Sequence, residues 1–196
     1  GWPADVSHPG TNAGEIMNGF KLTETLNRRL LNLWPWIMHA STTYSADPFL
    51  VAAIAWQESS FNPQATHFEA NYYRKYCLNL PEEKIRRYNP AVDSIAKERK
   101  RLATAWGAMQ IVGLTAREKG YRKPKLESLC GEDGVRMGTI YLMHQLNRYG
   151  NDIGKAVSAY NAGSSIQSNI KSYVTPVLEL YRILRQELHD NLAFGE

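Results

Sequence analysis

The sequence predicts a single, mainly α-helical domain. Apolar residues recur at helical spacing in several segments, the run 49–56 is apolar without interruption, and no segment shows the apolar–polar alternation of a half-buried strand. The run is too short to span a membrane and long enough for a helix in the core. With 196 residues, 43% of them hydrophobic and 21% charged, the chain is large enough to bury a substantial core.

The first helices follow an N-terminal segment, 1–20, whose Gly, Pro, Asn and Ser content predicts an extended arm ahead of a domain over 21–196. Four leucines form the first apolar stripe: Leu22, Leu26, Leu30 and Leu33. Pro35 is predicted to end this helix, because proline lacks the N–H that a helix interior needs. A second helix is predicted over 36–44.

The later helices are predicted from the same periodicity and from capping residues, over 93–102, 111–119, 135–149, 153–161 and 174–188. Asp93 is the predicted N-cap of the first of these helices, and Gly120 follows the end of the second. Pro176 is acceptable in the first turn of the last helix.

The helix that contains the run 49–56 is predicted to be the centre of the domain. Asp47 is a good N-cap residue, and Pro48 suits the first helical position. Glu58 falls in the last turn, on the same face as Ile54 and Val51. Desolvation and the negative end of the helix dipole both favour a protonated carboxyl there. We therefore expect Glu58 to be a general acid, against the alternative of an ordinary solvated glutamate.

Three short motifs occur in order along the chain: Glu-Ser-Ser-Phe-Asn-Pro at 58–63, Gly-Ala-Met-Gln-Ile at 107–111 and Ala-Tyr-Asn-Ala-Gly at 159–163, followed by Tyr-Val at 173–174. Together they resemble the hallmarks of the soluble lytic transglycosylase family, over roughly 34–184. The resemblance implies a lysozyme-like fold and cleavage of the β-1,4 bond between N-acetylmuramic acid and N-acetylglucosamine. The implied product is a 1,6-anhydromuramoyl sugar, formed without a cofactor or metal.

The resemblance also implies roles for particular residues. Glu58 is the catalytic acid and then the base. The implied substrate-binding set is Ser59, Met109, Gln110, Tyr160, Asn161 and Tyr173. Within it, Tyr160 is expected to hydrogen-bond the acid or the substrate N-acetyl group, and Gln110 to offer a donor and an acceptor. Ser59 and Asn161 are expected to hold the end of the catalytic helix, and core packing is the alternative for Met109.

The segment 64–103 is longer than the corresponding interval in the family and is predicted to be an insertion. Its aromatic residues, among them Tyr72, Tyr73 and Tyr76, are expected either to form a lid over the sugar or to pack a satellite core. The carboxylates of the segment include Glu69, Glu82, Glu83 and Asp93. A goose-type lysozyme-like hydrolase, which uses an additional carboxylate in this interval, is therefore an alternative. A catalytically silent wall-binding module of a phage tail or secretion machine is another.

The net charge of +4 suits an anionic partner such as peptidoglycan glycan strands. The basic segments 97–101 and 117–125 are expected to be solvated faces, and no nucleic-acid motif accompanies them. No membrane span or signal peptide is predicted, and a start at Gly1 suits a mature form or an excised domain. Action in the periplasm or cell wall is implied by the resemblance. The histidines lack ligand spacing, so no metal site is expected, and Cys77 and Cys130 are expected to be free thiols.

Overall fold

The structure is a computed structural model that describes the backbone of residues 24–193 and the side chains of residues 28–186. The predicted N-terminal arm lies outside the described residues. The nine helices of this part are α1 (Glu24–Tyr44), α2 (Pro48–Ser59), α3 (Ala70–Tyr72), α4 (Glu82–Tyr88), α5 (Ile95–Leu102), α6 (Gly113–Glu118), α7 (Glu132–Arg148), α8 (Ile153–Ala162) and α9 (Thr175–Ala193).

Short π-helical and 3₁₀ turns join or extend these helices. The π-helical turns are Tyr73–Cys77 and Ile170–Val174, and the 3₁₀ turns are Leu126–Leu129 and Gln167–Asn169. The mainly helical prediction is confirmed. Among the described residues, no helix is both long enough and apolar enough to span a membrane.

Helix α2 lies at the centre of the larger of two apolar cores. Its residues from Leu50 to Ala55 are almost completely buried, and they pack with apolar residues of α1, α7, α8 and α9. The carboxylate of Asp47 accepts a hydrogen bond from the N–H of Phe49 at 2.9 Å, and Pro48 begins the helix, both as predicted. Ser60 ends it in a left-handed conformation at φ 52°. The sequence therefore predicted the start of this helix and the place of Glu58 in its last turn.

Helix α1 continues through Pro35, so the prediction that this proline ends the helix is wrong. Proline removes the hydrogen bond to the carbonyl four residues earlier, at Leu31, which costs about 3 kcal/mol in a helix interior. Pro35 and Leu31 both lie on the exposed face, where water can reach that carbonyl. The opposite face packs Leu33 and Ile37 into the core, and this burial offsets the cost.

A small antiparallel sheet contradicts the expectation that the chain contains no strands. Its strands are β1 (Thr66–Phe68), β2 (Thr104–Trp106) and β3 (Ile111–Val112), in the order β1-β2-β3. His67 pairs with Ala105, which in turn pairs with Val112. Strands of two or three residues are too short for alternation to be recognised in a sequence. For the same reason, the helix predicted from 111 begins only at Gly113.

The segment 64–103 builds about half of the second apolar core. It contributes Cys77, Leu80, Ile85, Tyr88 and Val92, which pack with residues of β2, α6 and the turn at Leu126–Leu129. The two cysteines, Cys77 and Cys130, are not bonded to each other. The alternative of a satellite core thus describes one side of this segment.

Two charged residues expected on solvated faces are buried instead. Arg117 has no exposed surface, and its Nη2 lies 3.2 Å from Oε1 of Glu98, which is itself 1% exposed. Nη1 of Arg117 also donates to the carbonyl of Lys123 at 2.6 Å. Partners on Nη1 and Nη2 offset the cost of burying this guanidinium, although its Nε has no hydrogen-bond partner among the described residues. The prediction that Asp93 is the N-cap of α5 is wrong, because the N-cap is Ser94. The carboxylate of Asp93 lies 3.8 Å from Nη1 of Arg101.

Candidate active site

Glu58 lies in the last turn of α2. Ile54 and Val51, one and two turns earlier on the same face, are completely buried. The residue keeps some contact with solvent, but its carboxyl is surrounded by protein, and this desolvation raises its pKa to about 8. The charge of Glu69 contributes in the same direction. At neutral pH the carboxyl is therefore mostly protonated, which is the state that a general acid needs.

Tyr173 is the hydrogen-bond partner of this acid. Its hydroxyl donates to Oε1 of Glu58 from the π-helical turn Ile170–Val174, which joins the end of the α8 region to α9. This hydrogen bond stabilises the ionised carboxylate and so lowers the pKa of Glu58, but desolvation is the larger effect. Burial and the neighbouring Glu58 raise the pKa of Tyr173 well above its ordinary value, so the phenol remains a donor.

Tyr160 does not hydrogen-bond the acid, which was one of its two expected roles. Its hydroxyl donates to the backbone carbonyl of Met109 at 2.8 Å. Gly138 of α7 permits this approach, because an added Cβ would lie 2.6 Å from the Met109 side chain and 3.0 Å from the Tyr160 hydroxyl oxygen. Met109 itself is completely buried, as expected if its side chain packs in the core. Contact of Tyr160 with a substrate N-acetyl group stays a prediction.

Gln110 lies in the tight turn between β2 and β3 at φ 47°. Its Nε2 donates to the carbonyl of Gly107 at 2.8 Å and to that of Ala65 at 3.0 Å. Since an amide nitrogen has two hydrogens, both donors are used within the protein. The side chain can therefore offer a ligand only its carbonyl oxygen, whereas the sequence predicted a donor and an acceptor.

Ser59 and Asn161 act at different places. Oγ of Ser59 donates to the carbonyl of Ala108 at 2.8 Å and accepts from the N–H of Asn62, so it ties the end of α2 to the β2–β3 turn. Among the described residues, the side chain of Asn161 has no hydrogen bond to α2. Its Oδ1 accepts from Asn169 at 3.1 Å, which holds the turn that leads to Tyr173.

A cleft of about 270 Å³ lies beside these residues. The segment 64–103 supplies one wall, with Glu69, Asn71, Tyr72, Lys75 and Tyr76. The facing residues come from β3, α6, α7 and α8 and their connections: Gln110, Ile111, Val112, Thr115, Tyr141, Tyr160, Ala162 and Gly163. Of the sequence-predicted set, the lining contains Gln110 and Tyr160. Glu58 interacts electrostatically with two lining residues, Glu69 and Tyr160.

Sequence reasoning missed Tyr141 as a residue of this cleft. Its ring centroid lies 5.2 Å from that of Tyr160. Tyr141 belongs to a helix whose apolar stripe was recognised, but nothing in that stripe distinguishes a ring that faces a cleft from one that faces the core. Only the packing of α7 against α8 shows the difference.

The segment 64–103 also supplies Lys75, the positively charged side chain among the described residues that line the cleft. Lys75 is exposed, and its Nζ lies 4.9 Å from the ring centroid of Tyr76. Tyr72 and Tyr76 have ring centroids 4.7 Å apart, and both line the cleft. Tyr73 instead packs against Phe68, with ring centroids 5.5 Å apart, and is not part of the lining. The segment therefore has one side in the core and one edge at the cleft.

The four candidate carboxylates of this segment, Glu69, Glu82, Glu83 and Asp93, differ in their environment. Three lie on the surface within reach of arginines, at 2.7 Å for Glu82–Arg86, 2.9 Å for Glu83–Arg87 and 3.8 Å for Asp93–Arg101. Glu69 is only 4% exposed and lines the cleft. Desolvation raises its pKa, and the nearby His67 acts in the opposite direction. The spacing of carboxylates in the sequence could not single out this residue.

Among the described residues, no group of three or more His, Cys, Asp or Glu side chains is arranged to hold a metal ion.

A helical domain built around one central helix, with a desolvated acid beside an aromatic cleft, is a lysozyme-like domain. The chain belongs to the transglycosylase SLT domain family, whose model matches residues 35–177. No solved structure gives a significant match to the chain. Membership of this family makes it a peptidoglycan-acting domain of the lytic transglycosylase type, and its substrate lies outside the cytoplasm.

Proposed function

We propose that this domain cleaves the β-1,4 bond between N-acetylmuramic acid and N-acetylglucosamine and releases 1,6-anhydromuramoyl products. The observation that carries the proposal is the carboxyl of Glu58, which is surrounded by protein at the end of α2 and hydrogen-bonded to Tyr173 beside the cleft. Because Tyr173 donates to Oε1, Oε2 is the oxygen left to carry the transferable proton. A pure wall-binding module would have no use for an acid held neutral at the end of its central helix.

The first step is proton transfer from Glu58 to the glycosidic oxygen as the bond from that oxygen to the anomeric carbon breaks. The carbonyl oxygen of the substrate N-acetyl group shares the positive charge that develops on the anomeric carbon. In the second step the 6-hydroxyl of the same sugar attacks the anomeric carbon, and its proton goes to the ionised Glu58. The acid is regenerated, and no water is consumed.

The cleft provides contacts that suit this substrate. The rings of Tyr72, Tyr76 and Tyr141 offer apolar faces to pyranose rings. The free carbonyl oxygen of Gln110 is suited to an N-acetyl N–H, and the Lys75 ammonium to the carboxylate of a muramoyl lactyl group or its peptide. The remaining residues of the set support the backbone around the cleft. Ser59 bonds the carbonyl of Ala108, and Tyr160 bonds the carbonyl of Met109 from within the cleft. Asn161 accepts a hydrogen bond from Asn169 in the turn that leads to Tyr173.

A hydrolase of the goose-type lysozyme kind is the second candidate, and Glu69 is the observation that favours it. A second carboxylate in the cleft is the group that such an enzyme uses to activate water. The intramolecular route is favoured because the 6-hydroxyl is tethered to the reacting ring. Tethering of this kind reaches effective molarities of ~10⁵ M or more when the geometry is correct.

Digestion of purified sacculi, followed by mass analysis of the released muropeptides, tests the proposal. We expect products one water lighter than those of a lysozyme and resistant to borohydride reduction. Asp93→Asn, which changes an exposed carboxylate outside the cleft, is the control and should leave the products unchanged. Reducible ends as the main product would instead identify a hydrolase, and an absence of any release would identify a binding module.

A further inference from the structure

One helical stretch of the segment 64–103 forms a large part of the cleft wall. It spans α3 and the π-helical turn Tyr73–Cys77, and it contributes to the lining Asn71, Tyr72, Lys75 and Tyr76. Side chains four residues apart lie on the same face of a helix, which explains why both such pairs reach the cleft. Cys77, the next residue, is completely buried in the second core. The stretch is therefore held from behind and presents one face to the cleft.

Lys75 carries the positive charge of this face, and an aromatic ring holds its ammonium group beside the cleft. Nζ lies 4.9 Å from the ring centroid of Tyr76, and the ring centroids of Tyr76 and Tyr72 are 4.7 Å apart. Attraction between an ammonium and the face of a ring restricts the positions of the long lysine side chain. Lys75 and Tyr76 are both exposed, so a ligand in the cleft can reach the ammonium.

Within the described part of the chain, no carboxylate is paired with Lys75. Glu69, the acidic residue of the described lining, is 4% exposed, and its Oε1 lies 3.4 Å from Nε2 of His67 instead. Lys84, a second lysine of the segment, lies 3.9 Å from Glu118 outside the cleft. Because a cation in a cleft attracts groups of opposite charge, the ammonium of Lys75 suits an anionic group of a ligand.

The glycan of the proposed function carries its negative charge on one of its two sugars. N-acetylglucosamine is uncharged, whereas the lactyl substituent of N-acetylmuramic acid ends in a carboxylate, or in a peptide with carboxylates of its own. On the facing side of the cleft, Gln110 offers a carbonyl oxygen, which suits an N–H donor and repels a carboxylate. The anionic substituent therefore belongs on the side of Lys75.

We propose that Lys75 is a specificity-determining residue that binds a carboxylate of the muramoyl substituent, so that the domain prefers glycan with this charge to uncharged glycan. This inference rests on the proposed function, from which it takes the muramoyl glycan as the ligand. The ammonium is exposed, so the ion pair increases affinity by a small factor and is weakened by salt. Since Lys75 takes no part in the proton transfer, its loss should raise KM and leave kcat unchanged.

Calorimetric titration in a Glu58→Gln background, which leaves the ligand intact, tests the proposal. Three glycans of equal length are compared. The first carries peptides, the second has been stripped by an amidase so that its lactyl carboxylates are free, and the third is the stripped glycan after conversion of these carboxylates into methylamides. Lys75→Gln should weaken binding of a carboxylate-bearing glycan by about two- to fivefold and leave binding of the uncharged glycan unchanged.

Two further variants control for the side chain itself. Lys75→Arg keeps the charge and should bind all three glycans nearly as the parent does. Lys84→Gln removes a lysine whose Nζ lies 5.9 Å from the ring centroid of Tyr88, outside the cleft, and should leave all three affinities unchanged.

The two charged glycans identify the source of the carboxylate. An effect of Lys75→Gln on the stripped glycan alone assigns the lactyl carboxylate, and an effect on the peptide-bearing glycan alone assigns the peptide. An effect on both shows that Lys75 binds either carboxylate, and each of these results supports the proposal. Equal weakening of all three glycans, or of none, would overturn it.

If Lys75→Gln does not fold, the side-chain NMR signals of Lys75 in Glu58→Gln decide the matter. They should shift when a charged glycan is added and stay unchanged with the uncharged glycan. Equal shifts with all three glycans, or no shift with any, would contradict the proposal.

Product analysis with the active enzyme separates failure of this inference from failure of the proposed function. Anhydro products from sacculi, together with binding that does not depend on the carboxylate, would overturn the role of Lys75 and leave the transglycosylase intact. Reducible products together with the expected selectivity would overturn the proposed function and leave the carboxylate-binding site intact.

Discussion

The hydroxyl of Tyr173 donates a hydrogen bond to Oε1 of Glu58, although 115 positions separate the two residues in the chain. The bond joins the end of the central helix α2 to the π-helical turn before α9. It holds the acid in one orientation and opposes part of the rise in pKa that burial causes. π-Helical turns are often found at functional sites, where they redirect a side chain that a regular helix would place elsewhere.

Removal of this hydrogen bond is expected to slow the reaction and to shift its pH dependence. A hydrogen bond to a charged group is worth about 1.5–3 kcal/mol, so Tyr173→Phe should lower kcat by about tenfold or more. The pKa of Glu58 should rise, because the bond stabilises the ionised form, and the alkaline limb of activity should move to higher pH. Both effects are measured from pH–rate profiles on solubilised glycan.

Tyr181→Phe is the matched control for this experiment. The hydroxyl of Tyr181 donates to Oδ2 of Asp47 at 2.7 Å, so this variant also loses a bond to a carboxylate, at the other end of α2. It should lose some stability and keep the wild-type pH profile. Equal shifts in the two variants would mean that the effect of Tyr173 is not specific to the acid.

Replacement of the acid itself should abolish most of the activity. Glu58→Gln keeps the shape and removes the transferable proton, so lysis of wall suspensions should fall by at least ~10²-fold. Glycan binding, measured by calorimetry, should be retained, and Glu83→Gln should behave as the wild type. A variant that clears the suspension at a near-normal rate would show that another group is the acid.

The same variant should become more stable than the wild type as the pH rises. The pKa of Glu58 is about 8 in the folded protein and 4.5 for an unperturbed glutamate. Between these pH values the folded state binds more protons than the unfolded state, so wild-type stability decreases with increasing pH. Glu58→Gln does not have this loss, and its advantage should grow from pH 4.5 to pH 8 and then level off, at no more than about 4–5 kcal/mol.

Urea unfolding at pH 4.5, 6, 7 and 8.5 measures this difference. Glu127→Gln, which changes an exposed carboxylate that lies 2.9 Å from Arg101, serves as the control and should show no such increase over this range. A difference between Glu58→Gln and the wild type that does not depend on pH would contradict the raised pKa of the acid.

The two roles of the segment 64–103 should be separable at neighbouring tyrosines. Tyr76 lines the cleft and is 44% exposed, so Tyr76→Ala should weaken glycan binding several-fold, on the scale of about 0.5–1.5 kcal/mol for an aromatic contact. Tyr73 packs against Phe68 and the second core, so Tyr73→Ala should lower stability by up to about 3 kcal/mol and leave affinity unchanged.

Calorimetric titration of glycan and thermal unfolding, both in a Glu58→Gln background, measure these effects on an intact ligand. Each tyrosine variant is the other's control. If Tyr76→Ala changes the melting temperature and not the affinity, the ring belongs to the core and the segment does not contact sugar.

Local sequence signals correctly predicted most of the helical framework. Asp47 and Pro48 mark the start of α2 by the local chemistry of a helix N-terminus, and the left-handed Gly163 follows α8 for a similarly local reason. The raised pKa of Glu58 also follows from its neighbours on one helix face, since Ile54 and Val51 are four and seven residues away. These features depend on residues within two turns, which a pattern in the sequence reports directly.

Contacts between distant segments could be decided only by the tertiary structure. The sequence singled out Tyr160 as a hydrogen-bond partner of the acid, yet packing directs its hydroxyl to Met109, and Tyr173 reaches Glu58 instead. Burial of the opposite face allows α1 to continue through Pro35, and the fold of 64–103 brings Glu69, alone among the four candidate carboxylates, into the cleft. Hydrogen-bond partners and burial depend on which chain segments meet in three dimensions. Local propensity determines the helices themselves, and the packing of their faces determines which side chains share the site.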